Sequence, residues 1–245
     1  MKLRNKIAIA LSTAIIASAA SAAQIDFRHE WKSVDHKEAS RVKLSTGFKI
    51  DDQWKTNLGV EMKFASFDRT KTLKDTELTE TELDLGATYK INKHWEFKPG
   101  MPIAMTDRKT TFKPQVRMVY KADMGLTTAL RYRHEFANYS DPTDGDTDME
   151  TGNKVNKPQK SKVTLTGGYK VKSLPNLKLN YEANYVKSLD NVKQFDGNDW
   201  EYDVGLIVGY QLGNWRPFAE IWDVDQSSST ADRQLKYRLG IKYKF

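Results

Sequence analysis

The sequence predicts an all-β fold: a twelve-stranded antiparallel transmembrane β-barrel with short periplasmic turns and longer extracellular loops. Three observations predict it: segments of about ten residues whose polarity alternates, connections that alternate between short and long, and aromatic residues gathered beside the short connections. The last segment shows the alternation most clearly. Leu235, Tyr237, Leu239, Ile241, Tyr243 and Phe245 share one face, whereas Lys236, Arg238, Gly240, Lys242 and Lys244 share the other. A strand has a side-chain period of two, so these sets point in opposite directions; a helix would mix them.

The chain opens on a basic stretch, Met1-Lys2-Leu3-Arg4-Asn5-Lys6, followed by an apolar run over residues 7–20 and the small residues Ala20-Ser21-Ala22. This pattern predicts a secretory signal peptide over residues 1–22, cut after Ala22, and one barrel domain over residues 23–245. Loss of Lys2, Arg4 and Lys6 lowers the formal charge from +7 to +4. The chain is only 39% hydrophobic, with a mean hydropathy of −0.67. A membrane helix needs about 20 consecutive apolar residues, and the apolar runs beyond the leader are as short as Leu206-Ile207-Val208. Helical spanning is therefore excluded. Cysteine is absent, which excludes disulfides and thiol chemistry.

The alternation places strands near residues 24–32, 40–50, 54–66, 78–90, 95–105, 111–121, 125–138, 161–171, 177–188, 199–212, 215–225 and 233–245. In eleven of them one phase carries no charge through the middle, as in Leu126, Leu130 and Tyr132 or Tyr202, Val204, Leu206, Val208 and Tyr210. Segment 215–225 departs: Phe218 and Trp222 fall out of step with Ala219 and Ile221, and either a bulge or a lumen-facing aromatic accounts for it. Pro99, Pro102, Pro114 and Pro217 lie inside expected strands, where each removes a ladder hydrogen bond. Connections at 51–53, 91–94, 122–124, 172–176 and 213–214 are short; those at 67–73, 139–160 and 226–232 are longer. Beside the short ones, Trp54, Trp95 and Trp215 open strands, and Tyr89, Tyr120, Tyr169, Tyr210 and Tyr243 close them. Amphipathic rings at one height form an interfacial girdle. Trp31, Phe64, Phe136, Tyr185 and Trp200 are expected in a second, upper girdle. A soluble barrel or sandwich would bury its apolar face and require no such belts.

The polar phase faces the lumen and is dominated by cations. Arg28, Arg41, Lys43, Lys49, Arg117, Arg131, Arg133, Lys162, Lys236, Arg238 and Lys242 are the candidate pore-lining cations; Glu30, Glu135, Glu182 and Glu201 are the candidate acidic braces. Successive inward residues lie about 6.6 Å apart along a strand, and a tilt near 45° reduces this to roughly 5 Å along the pore axis. That spacing resembles one sugar unit, so Arg41/Lys43, Arg131/Arg133 and Lys236/Arg238 are placed to hand a carboxylate from one cation to the next. A planar guanidinium fork suits a carboxylate, and each wet contact is worth only about 0 to 1 kcal/mol. Weak repeated sites are what conduction requires. The expected ligands are acidic monosaccharides or acidic oligosaccharides, with no catalytic residue, cofactor or metal. Residues 141–150 form an acidic stretch in which Ser140 and Pro142 occupy places that the helix-loop-helix calcium motif gives to ligands. A solvated external loop, bearing on how anions reach the lumen, is the better reading.

Asp26-Phe27-Arg28-His29-Glu30-Trp31, Leu130-Arg131-Tyr132-Arg133-His134-Glu135-Phe136 and the ending Tyr237-Arg238-Leu239-Gly240-Ile241-Lys242-Tyr243-Lys244-Phe245 resemble the oligogalacturonate-specific porin family, which includes sialic-acid-specific relatives. The resemblance implies a monomeric twelve-stranded outer-membrane barrel whose narrow pore is lined by basic tracks. Arg28 and Arg133 match the family pattern in the two Arg-His-Glu motifs, with Glu30 and Glu135 beside them. Outer-membrane lipid and lipopolysaccharide are the expected surroundings.

Two rival readings follow from the same strands. A phospholipase-like barrel enzyme needs a serine beside a histidine on the outer face. His29 and His134 fall on that phase, but the same-face residues two positions on are Trp31 and Phe136, so no adjacent serine is expected. A pore-free structural barrel would need lumen charges that cancel, against the basic excess. Nucleic-acid binding is disfavoured by the export signal and by cations spread around the wall.

Overall fold

The computed structural model describes residues 23–66 and 75–245. The expected signal peptide and the expected loop 67–73 lie outside the described residues. The strands run in chain order: β1 (Gln24–Lys32), β2 (Glu38–Thr46), β3 (Trp54–Ser66), β4 (Thr76–Lys90), β5 (Trp95–Gly100), β6 (Ile103–Met105), β7 (Lys109–Phe112), β8 (Gln115–Lys121) and β9 (Leu126–Tyr139). A loop hairpin, β10 (Asp146–Thr147) with β11 (Lys154–Val155), precedes β12 (Gln159–Lys170), β13 (Leu177–Ser188), β14 (Trp200–Tyr210), β15 (Trp215–Asp225) and β16 (Arg233–Lys244).

All but β10 and β11 belong to one antiparallel sheet. Prolines split two of its staves. The chain breaks at Met101-Pro102 between β5 and β6 and at Lys113-Pro114 between β7 and β8, because proline offers no N–H to the ladder. The two breaks face each other, and Lys113 N donates to Pro102 O at 2.8 Å, which closes the gap. Pro99 and Pro217 stay within β5 and β15. With each split stave counted once, twelve staves form the wall. β1 pairs with β2 on one side and with β16 on the other, from Gln24 opposite Lys244 to Lys32 opposite Lys236, so the sheet closes. Closure satisfies the backbone groups that lipid cannot.

The outward phase is apolar and uncovered. Leu130, Leu206 and Leu239 leave 55%, 58% and 68% of their surface outside. Burying a leucine is worth about 1.5–3 kcal/mol, so a belt of them belongs in lipid. Cross-strand partners supply the girdle at the short-turn end: Trp54 packs on Tyr89 at 4.8 Å, Trp95 on Tyr120 at 4.8 Å and Trp215 on Tyr243 at 4.5 Å. At the other end Trp31 stacks on Tyr237 at 5.8 Å and Tyr185 on Trp200 at 6.2 Å.

β15 carries its aromatics inward without a bulge. Its register with β14 and β16 is continuous, Phe218 and Trp222 are buried, and Ala219 and Ile221 face out. Glycines on the adjacent strands make room for the rings. A Cβ on Gly240 would lie 2.3 Å from Phe218, and one on Gly205 would lie 2.3 Å from Trp222. Each ring therefore lies flat against the wall over its cross-strand glycine.

Candidate transport pathway

The inward phase encloses a cavity of about 760 Å³. Among the described residues, twelve cations and seven carboxylates line it, so the water inside meets net positive charge. Ten of the eleven candidate cations stand on this wall: Arg28 on β1, Arg41 and Lys43 on β2, Arg117 on β8, Arg131 and Arg133 on β9, Lys162 on β12, and Lys236, Arg238 and Lys242 on β16.

Lys49 does not stand there, which corrects its placement. β2 ends at Thr46 rather than near residue 50, because at Gly47 the chain comes so close to β3 that a Cβ would lie 2.5 Å from the Thr56 carbonyl. Strand parity fails beyond that point. Lys49 lies in the turn, exposed, with its Nζ 2.6 Å from Asp52. The hydrogen bond to Asp52 pushes the Lys49 ammonium up and the Asp52 carboxyl down.

The cations fall into two groups, distinguished by what holds them. On β1, β15 and β16 carboxylates do. Arg238 meets Glu30 at 2.8 Å and Glu220 at 3.1 Å; Arg28 meets Asp26 at 2.8 Å and Glu220 at 3.5 Å; Lys242 meets Asp26 at 2.9 Å. The inward rings of β15 support the same cations. Arg28 and Lys242 lie over Phe218 at 5.5 and 5.2 Å, and Lys236 and Arg238 lie over Trp222, each at 5.0 Å. Trp222 Nε1 donates to Glu220 at 2.7 Å. The neighbouring staves follow suit: Arg41 meets Glu61 at 2.8 Å and Lys43 meets Asp84 at 2.7 Å.

Halfway round the wall, on β8, β9 and β12, neutral oxygens do most of the holding. Arg117 donates to Thr166 Oγ1 at 2.6 Å and Arg131 to Thr164 Oγ1 at 2.9 Å. Arg133 donates from Nε and Nη2 to the Gln115 side-chain oxygen at 2.9 and 2.8 Å, while Glu135 stands back at 3.7 Å. Among the described residues no carboxylate comes within ion-pair distance of Arg117, Arg131 or Lys162. The register concentrates these charges, since Arg117 stands opposite Arg131 and Lys162 opposite Arg133. Four cations thus share one patch whose charge its own partners barely cancel.

The candidate braces divide likewise. Glu30 and Glu135 have arginine partners. Glu182 accepts instead from Asn184 Nδ2 at 2.9 Å, and among the described residues neither it nor Glu201 has a cation at ion-pair distance. Glu220, which braces both Arg28 and Arg238, escaped sequence reasoning because the face of its strand was undecided. Thr164, Thr166 and Gln115 share the inward parity but carry no charge, so a search for charge passes over them. The outer face needs a further correction: a serine does stand beside His29. Ser40 is its partner on the next strand, with Oγ 3.0 Å from Nδ1, a neighbour that reading along one strand cannot reveal.

A closed wall with an oil-facing belt, two aromatic girdles and a charged aqueous interior defines an outer-membrane channel of the porin class. The family model described as oligogalacturonate-specific porin protein (KdgM) matches residues 16–245, and the chain belongs to that family. It is 28% identical to the oligogalacturonate-specific porin KdgM of Dickeya dadantii (strain 3937) across 97% of this chain and 99% of the relative. Among solved structures, the NanC porin superposes with a TM-score of 0.69 at 14% identity, covering 90% of this chain and all of that one. The KdgM porin in complex with disordered oligogalacturonate superposes at 0.62 and 20% identity, covering 91% of this chain and 99% of that one.

Proposed function

We propose that the barrel is a monomeric, anion-selective channel for passive uptake of carboxylated sugars or their short oligomers, such as oligogalacturonate, and that its export uses the leader at residues 1–22. One observation carries the reading: the patch of Arg117, Arg131, Arg133 and Lys162, held chiefly by threonine and glutamine oxygens, keeps its charge for an incoming carboxylate. Had acids held it, a sugar carboxylate would have to displace them first. The β1, β15 and β16 wall across the lumen plays the other part, with cations braced by Glu30, Asp26 and Glu220 that shape the positive field while keeping their own partners. Contacts of this kind in water are weak and exchange quickly, which suits passage from one station to the next. Similarity to an oligogalacturonate-specific porin along the chain and, over 48% of it, to the N-acetylneuraminic acid outer membrane channel protein NanC of Escherichia coli (strain K12) supports an acidic sugar as the cargo.

Conductance across a planar bilayer under a salt gradient tests this. A reversal potential of anion-selective sign, with oligogalacturonate blocking the current more strongly than a neutral oligomer of equal length, is the expected result. Cation selectivity, or no conductance from folded barrel, refutes it.

A further inference from the structure

We propose that Ser40, His29 and Glu38 form a lipid-facing catalytic triad that hydrolyses acyl esters of outer-leaflet lipids. The proposal goes beyond the transport reading and is independent of it, because these residues lie on the opposite face of the wall from the lumen.

All three have outward parity at the far end of β1 and β2 from the chain termini. His29 stands opposite Ser40, and Trp31 opposite Glu38, so Glu38 is the diagonal neighbour of His29. His29 Nδ1 lies 3.0 Å from Ser40 Oγ, within the reach a general base needs to its nucleophile. On the other side of the ring, Nε2 lies 3.7 Å from Glu38 Oε2. That oxygen is buried and makes no hydrogen bond within the protein, so it is aimed at the imidazole without being committed elsewhere. Catalytic hydrogen bonds are often long before substrate arrives and tighten when it does. His134, on the outer face of β9, lacks this arrangement: its ring nitrogens meet Gln159 at 3.0 Å and Tyr132 at 3.5 Å.

Depth supports lipid as the substrate. The cluster is flanked by upper-girdle rings, with Trp31 on its own strand and Phe64 opposite Ser40 on β3. Girdle rings sit where headgroups give way to acyl chains, which is the level of a lipid's ester linkages. Polar groups on the lipid phase are costly and tend to be functional.

The chemistry balances with lipid and water alone. Ser40 Oγ bonds to the ester carbonyl carbon while its proton passes to His29 Nδ1, and the Glu38 carboxylate stabilises the imidazolium. The carbon–oxygen bond to the leaving group breaks, and His29 returns the proton to the departing alkoxide, leaving an alcohol and acyl-Ser40. Water then attacks the acyl group, its proton moving through His29 to Ser40, and a fatty acid is released.

The test uses folded barrel in two kinds of vesicle, phosphatidylethanolamine alone and phosphatidylethanolamine with lipopolysaccharide, so that phospholipid and lipopolysaccharide esters are told apart by the acids released. A long-chain alkyl fluorophosphonate is applied in parallel, with mass spectrometry of the labelled peptide. Expected are label on Ser40, fatty-acid release in at least one vesicle type, loss of both in Ser40→Ala, and a drop of roughly tenfold or more in Glu38→Gln. Channel conductance of both variants should equal that of the parent, which shows that the barrel still folds. Absence of label on Ser40 together with no release from either vesicle overturns the proposal, as does undiminished release by Ser40→Ala.

Discussion

Two lumen residues of opposite charge make opposite predictions. Arg131 is held by Thr164, and on the opposite wall Glu220 neutralises its neighbours Arg28 and Arg238. Arg131→Gln is therefore expected to lower the anion-to-cation permeability ratio, and Glu220→Gln to raise it, both read from reversal potentials. Glu220→Gln should also lower stability by about 1–3 kcal/mol, the range for a lost charge-assisted hydrogen bond, visible as a lower melting temperature. Arg133→Glu should reduce selectivity more than Lys157→Glu, because Arg133 lines the cavity and Lys157 lies in the loop after β11. Equal effects of the last pair would show that the lumen does not control permeation. At this scale ten of the eleven candidate cations were legible from parity, whereas Glu220 was not. Their partners were not, since Thr166 reaches Arg117 across an intervening strand and no rule of sequence spacing joins residues 117 and 166.

Among the elements, β15 departs furthest from the alternating pattern. Its rings fit only because Gly205 and Gly240 stand opposite them, so Gly240→Leu should push Phe218 off the wall into the lumen. The expected outcome is a smaller single-channel conductance and a lower melting temperature, whereas unchanged conductance would mean that the ring had been accommodated elsewhere. The acidic loop uses two of its carboxylates as turn caps. Asp141 accepts from Thr143 N, and Asp148 from Glu150 N and Thr151 N, and these backbone bonds hold both carboxyls below the ordinary aspartate value of about 3.9. Because the folded values are depressed, the caps contribute fully above the ordinary value and are lost as pH falls through the lowered ones. Amide shifts of Thr143 and Glu150 in micelle-bound barrel should therefore titrate below about pH 3.9, and a midpoint above it would contradict the capping role. Strand boundaries were legible where the alternation is regular, as at residues 54–66 and 177–188, and at 215–225 in spite of its irregular face. They were misplaced at Gly47, where a close backbone approach interrupts the ladder, and at Pro102 and Pro114, where one expected stave becomes two strands.

For the whole molecule, the field of the lumen depends on ionic strength. The Debye length shrinks from about 10 Å at 0.1 M salt to about 3 Å at 1 M, so selectivity set by the patch on β8, β9 and β12 should approach unity across that range in bilayer recordings. A ratio independent of salt would point to size rather than charge as the filter. Outside β15 and the turn beyond Gly47, the amino-acid sequence by itself determined which residues face oil and which face water, because a strand alternates its side chains whatever it pairs with, and the periodic leucines and aromatics record that choice residue by residue. Pairing decided the rest. Only closure of β1 onto β16 and the register between staves settled which cations are neutralised, which way Phe218 and Trp222 point, and that Ser40 lies against His29. Each of these depends on a neighbour across a strand boundary, and a linear chain carries no local signal of who that neighbour will be.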